Sequence, residues 1–237
     1  MPAVDVASRA KVGFDRAAGS GERLVGASVL SADFGALAND AAAALNAGAD
    51  ALHVDVMDGH FVPNLSMGPA VCGALRASLP DALLDVHLMV ERPDAFVDPF
   101  IDAGADHLTI HIESLVDHGD VAAMIAARGC TAGIAVNPDT PVDRVLELAD
   151  HFQLFLVMSV HPGYSGQSFI AEVLPKVAVL RETLGTAAWI QMDGGVGPST
   201  APACREAGCN VLVSASAIYG AQDYAGVISA LRGGNQS

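Results

Sequence analysis

Short apolar segments alternate with helix-forming segments along this chain, and that alternation constrains the fold more than any other feature. We predict eight strands, at residues 24–29, 51–56, 83–89, 107–111, 132–136, 154–159, 188–192 and 211–214. Repeated strand–helix units imply a parallel sheet, and eight units imply closure into a single-domain α/β fold, the (β/α)8 or TIM barrel. An open, doubly wound sheet is the alternative.

The helices between these strands have recognisable ends, and three of the turns share a similar sequence. We predict that the first helix opens at residues 31–33 and runs to about Asn46, and that the last helix starts near Ala217. A similar tetrapeptide precedes the second, fourth and eighth strands, at residues 47–50, 103–106 and 207–210. Reuse of one helix-to-strand turn also favours the barrel.

Length and charge limit the class of protein. The 237 residues, 51% of them apolar, fit one barrel domain, which we place at residues 23–237. A net charge of −15 argues against nucleic-acid binding, and the sequence has no apolar run of about 18 residues for a membrane span. Residues 1–22 lack the apolar core of a signal peptide. We therefore expect a loosely ordered extension there and a cytoplasmic protein.

The stretch from His53 to His60, with the sequence HVDVMDGH, joins the second predicted strand to a glycine-containing loop. Side chains two positions apart on a strand point the same way, so His53 and Asp55 project from one face. Such a pair can bind a divalent metal, or the Asp can act as a base held by its neighbour.

Other predicted strands also end in polar residues, at the end of a barrel where catalytic groups lie. These strand-end residues are Ser28, His53, Asp55, His87, His111, Asn137, Ser159, Asp193 and Ser216. Two imidazoles and two carboxylates from three strands predict a metal site formed by His53, Asp55, His87 and Asp193. That donor set suits one divalent ion, Zn²⁺ or else Fe²⁺, Mn²⁺ or Co²⁺.

Segments of glycine or other small residues follow the last three strands, at residues 162–167, 193–196 and 214–217. Because such segments let backbone N–H groups approach a phosphate closely, they predict a phosphate site that needs no Lys or Arg. Met57, Met89 and Met158 lie at or near strand ends, either as core filling or as an apolar collar that keeps water from a reactive intermediate. We expect His111 beside the metal ligands, His161 near the substrate, and surface or loop positions for His60, His107, His118 and His151.

With these residues assembled, the chain resembles the ribulose-phosphate 3-epimerase family from about Val25 to the last helix. The segment of residues 53–64, HVDVMDGHFVPN, is the most specific match. The other matching segments are residues 28–34, 85–90, 137–138, 157–158, 162–163, 166–167 and 193–196.

The resemblance implies a TIM barrel of the ribulose-phosphate-binding type and an isomerase of carbohydrate metabolism, in the pentose phosphate pathway. It would interconvert D-ribulose 5-phosphate and D-xylulose 5-phosphate, with Asp55 and Asp193 transferring protons at C3 through a cis-enediolate and doubling as metal ligands. The implied partners are a small phosphorylated ketose and further copies of the chain. The implied substrate contacts are Ser28, His87, Gly163, Tyr164, Ser165, Gly166, Gly194, Gly195, Ala215 and Ser216.

Four residues depart from the usual family pattern. None of them is an implied metal ligand or base, so they leave the identity of the substrate undecided but not the type of reaction. They are His161, Ser165, Gln191 and Ala215. A second hypothesis is therefore a 3-epimerase of another ketose phosphate, such as D-allulose 6-phosphate. A phosphate-binding decarboxylase or aldolase is a third, and a non-catalytic phosphosugar-binding protein is a fourth. A Schiff-base aldolase is disfavoured because Lys11 and Lys176, the two lysines of the sequence, lie outside the predicted strands.

Overall fold

The computed structural model describes residues 13–16 and 21–234, and over these residues the chain forms a closed barrel of parallel strands. Each strand pairs with its neighbours in sequence, and the last pairs with the first, so the predicted TIM barrel is confirmed and the open sheet is wrong. The strands are β1 (Leu24–Ser28), β2 (Ala51–Met57), β3 (Leu84–Met89), β4 (His107–His111), β5 (Thr131–Val136), β6 (Leu154–Met158), β7 (Trp189–Asp193) and β8 (Val211–Ser214).

Helices cover the outside of the barrel in the described part of the chain. They are α1 (Leu37–Asn46), α2 (Pro69–Ser78), α3 (Val97–Asp102), α4 (His118–Ala127), α5 (Asp143–Leu146), α6 (Leu174–Leu184), α7 (Ala201–Ala207), α8 (Ser216–Tyr219) and α9 (Tyr224–Arg232). Short 3-10 turns lie at Val29–Ser31, Pro93–Ala95, Ala149–His151 and Ala171–Val173.

The first helix begins later than predicted. Val29–Ser31 forms a 3-10 turn capped by the Ser28 hydroxyl, and α1 starts at Leu37. Between them the Asp33 carboxylate accepts the Gly35 N–H at 2.8 Å, which holds a turn instead of a helix. The local bonding of Asp33 therefore outweighs its tendency to cap a helix.

The predicted extension, residues 1–22, lies largely outside the described residues. Within it, residues 13–16 and 21–22 are described, and Phe14 is completely buried. Its ring centroid lies 5.4 Å from that of His107 and 5.1 Å from that of Trp189, both on barrel strands. Phe14 therefore packs into the barrel core, and the loose order predicted for the extension as a whole stays a prediction.

The repeated tetrapeptides form the same turn. Their glycines Gly48, Gly104 and Gly208 have φ angles of 108°, 101° and 117°, which favour glycine. The last residue of each tetrapeptide then accepts a backbone N–H from a neighbouring strand. These pairs are Asp50 with Val25, Asp106 with Leu84, and Asn210 with Ile190.

The barrel interior is apolar in part and polar in part. One apolar cluster inside the barrel contains Leu154, Leu156 and Trp189, and a larger one contains residues that lie between the strands and the helices. On β2, β3, β4 and β7 the buried residues at alternate positions are polar instead. They are His53, Asp55, Asp85, His87, His107, Thr109, His111 and Gln191. Because buried polar groups need partners, these side chains bond one another and hold the site in place.

Candidate active site

The structure brings the four predicted metal ligands together. One ligand atom from each of His53, Asp55, His87 and Asp193 lies within 4.8 Å of the other three. Asp55 on β2 and His87 on β3 are direct neighbours in the strand register, and Asp193 ends β7. Strand pairing therefore places the four groups at the carboxyl end of the barrel.

His53 presents one ring nitrogen to a carboxylate support and the other to the cluster. Its Nδ1 lies 2.8 Å from Asp85 Oδ2, and its Nε2 lies 3.3 Å from Asp55 Oδ1 and 4.0 Å from Asp193 Oδ2. Nε2 is buried and makes no well-formed hydrogen bond within the described part of the chain. His53 Nε2, buried near the carboxylates of Asp55 and Asp193, is therefore suited to bind a metal ion.

The charge around His53 also fits a cation. Burial alone would lower the pKa of His53, but the charges of Asp55 and Asp85 outweigh it and raise that pKa well above its ordinary value. Three carboxylates, with Asp193, thus surround two imidazoles. That excess of negative charge favours a bound divalent ion.

His87 is a neutral imidazole aimed at the same point. Its Nδ1 lies 3.1 Å from Asp55 Oδ1 and 3.8 Å from Asp193 Oδ2. Burial lowers the pKa of His87 to about 4. A neutral ring with a nitrogen facing two carboxylates is the form in which histidine binds metals.

The two aspartates of the cluster have pKa values shifted in opposite directions. Burial, followed by the charge of Asp55, raises the pKa of Asp193 to about 7. Burial would raise the pKa of Asp55 as well, but the charge of His53 and the contacts with His53 and His87 outweigh burial and hold that pKa well below its ordinary value. Ser28 also donates to Asp55 Oδ2 at 2.6 Å. A carboxyl pair with separated pKa values suits acid–base work.

A cavity of ≈ 200 Å³ opens above the cluster, and most of the predicted site residues line it. His53 and His87 do not line it, so the predicted substrate contact of His87 gains no support from the structure. The predicted residues that line the cavity are Ser28, Asp55, Met57, Met89, Met158, Gly163, Tyr164, Ser165, Gly166, Asp193, Gly194, Gly195, Ala215 and Ser216.

The loop of residues 162–167 covers the cavity and is tied to the loop after β2. Asn64 Nδ2 donates to Gly163 O at 2.7 Å, and Tyr164 donates from its hydroxyl to Pro63 O at 2.9 Å. The two loops are far apart in sequence, and these two bonds hold them together.

The loop after β7 depends on glycine for close approach. Gly194 and Gly195 have φ angles of 111° and 62°. A Cβ on Gly195 would lie 2.8 Å from Phe169 N and 3.0 Å from Gln167 O, which are backbone atoms. Only glycine therefore fits at residue 195 without moving the backbone of residues 167–169.

The supporting roles of three polar residues were not predicted from the sequence. Asp85 Oδ2 accepts from Gln191 Nε2 at 2.7 Å as well as bonding His53, and Glu113 bonds His111 at 3.1 Å. Asp85 and Gln191 precede His87 and Asp193 by two positions, so the strand alternation used for the ligands also pointed to them. Glu113 follows β4 by two residues, and no comparable signal marked it.

The predictions for the other histidines had different outcomes. His111 lies 2.8 Å from His87, beside the ligands as expected. His107 is buried inside the barrel instead of lying at the surface, and its ring nitrogens bond Thr131 and Thr109. His161 has a 61% exposed side chain near Asp139 and does not line the cavity, so its expected place near the substrate stays a prediction.

Within residues 13–16 and 21–234, the helices are all too short or too polar to cross a membrane.

Comparisons with known proteins identify the family. The model of the family described as "Ribulose-phosphate 3 epimerase family" matches residues 24–219. A ribulose-phosphate 3-epimerase of Mycobacterium tuberculosis strain H37Rv is 46% identical over 219 residues, covering 91% of this chain and 94% of that protein. One of Bacillus subtilis strain 168 is 44% identical over 213 residues, covering 88% and 98%.

Solved structures support the fold at lower identity. A 3-hexulose-6-phosphate synthase aligns with a TM-score of 0.63 at 20% identity, covering 89% of this chain and 98% of that one. The crystal structure of KGPDC from Streptococcus mutans aligns with a TM-score of 0.67 at 15% identity, covering 90% of this chain and 96% of that one. These likenesses establish the barrel, whereas the family model matches residues 24–219, a range that includes the site. The chain therefore belongs to the ribulose-phosphate 3-epimerase family.

Proposed function

We propose that this chain interconverts D-ribulose 5-phosphate and D-xylulose 5-phosphate by moving a proton at C3. As a member of its family it is an epimerase, and so an isomerase. The observation that carries the proposal is the pair Asp55 and Asp193, which line one cavity from different strands and have oppositely shifted pKa values.

Two carboxyl groups suit inversion because each one serves a different face of C3. The ionised Asp55 accepts a proton in one direction while the protonated Asp193 donates one, and the roles exchange in the other direction. The substrate passes through a cis-enediolate between the two transfers. Ser28 holds Asp55 by its hydroxyl at 2.6 Å, so that the carboxylate keeps its orientation.

His53, Asp55, His87 and Asp193 would hold the metal, for which we propose Zn²⁺ with Fe²⁺, Mn²⁺ or Co²⁺ as alternatives. A bound divalent ion supplies Lewis-acid stabilisation of developing negative charge, which amounts to several kcal/mol. Asp85 supports His53 from the other ring nitrogen, and that bond fixes the tautomer.

Backbone N–H groups of the small-residue loops would bind the phosphate, since those loops line the same cavity. The proposed contacts are Gly163, Tyr164, Ser165, Gly166, Gly194, Gly195, Ala215 and Ser216. Met57, Met89 and Met158 also line the cavity, and we assign them to an apolar collar that excludes water from the enediolate. We further propose a cytoplasmic homo-oligomer.

The test is turnover of two ketose phosphates by the wild-type chain and by Asp193→Asn. We expect conversion of D-ribulose 5-phosphate well above that of D-allulose 6-phosphate, and a loss of about 10²- to 10⁴-fold in kcat for the variant. Asp102→Asn, at an exposed carboxylate on α3, is the matched control and should turn over normally.

Solvent exchange sharpens the test. In D2O, Asp193→Asn should still exchange the C3 proton of one of the two ketoses through Asp55, without inverting it. Near-normal epimerisation by Asp193→Asn would refute the two-base scheme. Faster conversion of D-allulose 6-phosphate than of D-ribulose 5-phosphate would leave the proposed mechanism in place and identify a different ketose phosphate as the substrate.

A further inference from the structure

The second ring nitrogen of His87 makes a contact that the proposed chemistry does not use. His87 Nε2 lies 2.8 Å from His111 Nε2, and both rings are completely buried. Two ring nitrogens at this distance form a hydrogen bond when one carries the proton and the other has a free lone pair. The partners of His111 therefore decide which nitrogen of His87 is protonated.

Glu113 sets the direction of this bond. His111 Nδ1 lies 3.1 Å from Glu113 Oε2, while Glu113 Oε1 accepts the Asn137 N–H at 2.9 Å. An ionised carboxylate only accepts hydrogen bonds, so Nδ1 of His111 carries the proton. With the proton on Nδ1, the lone pair of the His111 ring lies on Nε2, so His87 donates to it from its own Nε2. His87 Nδ1 is left with a free lone pair.

That lone pair faces the ligand cluster. His87 Nδ1 is the nitrogen that lies 3.1 Å from Asp55 and 3.8 Å from Asp193. A metal-binding imidazole must present a deprotonated nitrogen, and a bond at its other nitrogen commonly fixes both tautomer and ring orientation. In this chain the acceptor of that bond is a second imidazole instead of a carboxylate.

His111 is itself held on several sides. Its ring lies nearly parallel to that of His87, with centroids 5.0 Å apart and an interplanar angle of 21°, and the centroid of the Phe61 ring lies 4.8 Å away. Its backbone carbonyl accepts from His118 Nε2 at 3.1 Å. These contacts leave the His111 ring little freedom to rotate, so its bond to Glu113 also fixes the direction of its bond to His87.

We propose that Glu113 and His111 are positioning residues that hold His87 with Nδ1 ready to bind a divalent cation. The inference rests on the proposed metal site. It adds two residues that contact neither metal nor substrate, and it predicts that cation affinity depends on them.

The experiment measures the affinity of the chelated full chain for Zn²⁺ and Co²⁺ by competition with a chromophoric chelator. We expect Glu113→Gln and His111→Phe to weaken binding about 10- to 100-fold. His111→Phe keeps a ring between His87 and Phe61 but removes the acceptor nitrogen. The visible absorption of the Co²⁺ form should also change, because the orientation of His87 changes.

His107→Gln is the matched control, since it removes another buried imidazole from β4 that has Thr109 and Thr131 as its partners. It should bind cations within twofold of the wild type. Circular dichroism of each chelated variant checks that the barrel is folded, and Glu113→Gln decides the question if His111→Phe does not fold.

The outcomes separate this inference from the proposed function. A wild-type chain that binds no divalent ion contradicts the metal site itself. A wild-type chain that binds tightly, with folded Glu113→Gln equally tight and spectrally identical, overturns the positioning role alone. An equal loss of affinity in His107→Gln also overturns it, because the loss would then be general.

Discussion

Phe14 offers a sharp test of how the amino-terminal segment contributes to the barrel. The change is Phe14→Ala, which removes a completely buried ring from between His107 and Trp189. Phe→Ala changes in cores cost about 3–5 kcal/mol, from lost transfer free energy and the cavity left behind. The neighbours of Phe14 belong to strands of a closed barrel, so little collapse into that cavity is expected.

This free energy corresponds to a large thermal shift. For a chain of this length each kcal/mol lowers Tm by about 2–4 °C, so Phe14→Ala should lower it by roughly 6 to 20 °C. The assay is thermal and urea unfolding of the full chain followed by circular dichroism. Turnover at 25 °C should change little, because Phe14 does not line the cavity.

Phe34→Ala is the matched control, since Phe34 is 52% exposed. That change should alter the free energy of unfolding by no more than about 0.5 kcal/mol. If Phe14→Ala proves as mild as Phe34→Ala, the segment around Phe14 does not complete the barrel core, and the reasoning from its burial is wrong.

Two further predictions concern the loop after β7 and the buried His107. Gly195→Ala should raise KM for the phosphorylated ketose, because the added Cβ would lie 2.8 Å from a backbone atom of Phe169. The control Gly185→Ala should leave KM unchanged, because Gly185 has a similar positive φ of 71° but no neighbouring atom within 4 Å of the added Cβ. Equal KM values for the two variants would contradict the close approach at Gly195. Burial lowers the pKa of His107 to about 4, so the unfolded chain protonates His107 at a higher pH than the folded chain does. Between pH 7 and pH 4 this group should therefore lower the free energy of unfolding by about 3 kcal/mol. Urea unfolding across that range should show a shallower fall for His107→Gln, and an identical slope would refute the assignment.

The strands and the ligand set followed from the sequence because both depend on local regularity. Strand periodicity gave the eight strands to within a residue or two at each end, and alternation along β2 placed His53 and Asp55 on one face. Barrel closure then brought His87 and Asp193 to them, as the strand-end positions predicted.

The features that escaped prediction depend on contacts between distant residues. Phe14 is buried by strands that begin far along the chain, and no periodicity in residues 1–22 marks it. Gln191 departs from the usual family pattern, and its bond to Asp85 joins residues 106 positions apart. The first helix was placed too early because the side-chain bond of Asp33 to Gly35 competes with helix formation there.

The measurement that tests the central claim most directly is turnover of D-ribulose 5-phosphate before chelation, after chelation and after reconstitution, with the metal content determined at each stage. Bound metal near one ion per chain should accompany fast conversion to D-xylulose 5-phosphate. Chelation should abolish both, and Zn²⁺, Mn²⁺, Fe²⁺ or Co²⁺ should restore them. Full turnover by a chelated chain that holds no metal would contradict the account of His53, Asp55, His87 and Asp193 as a catalytic metal site.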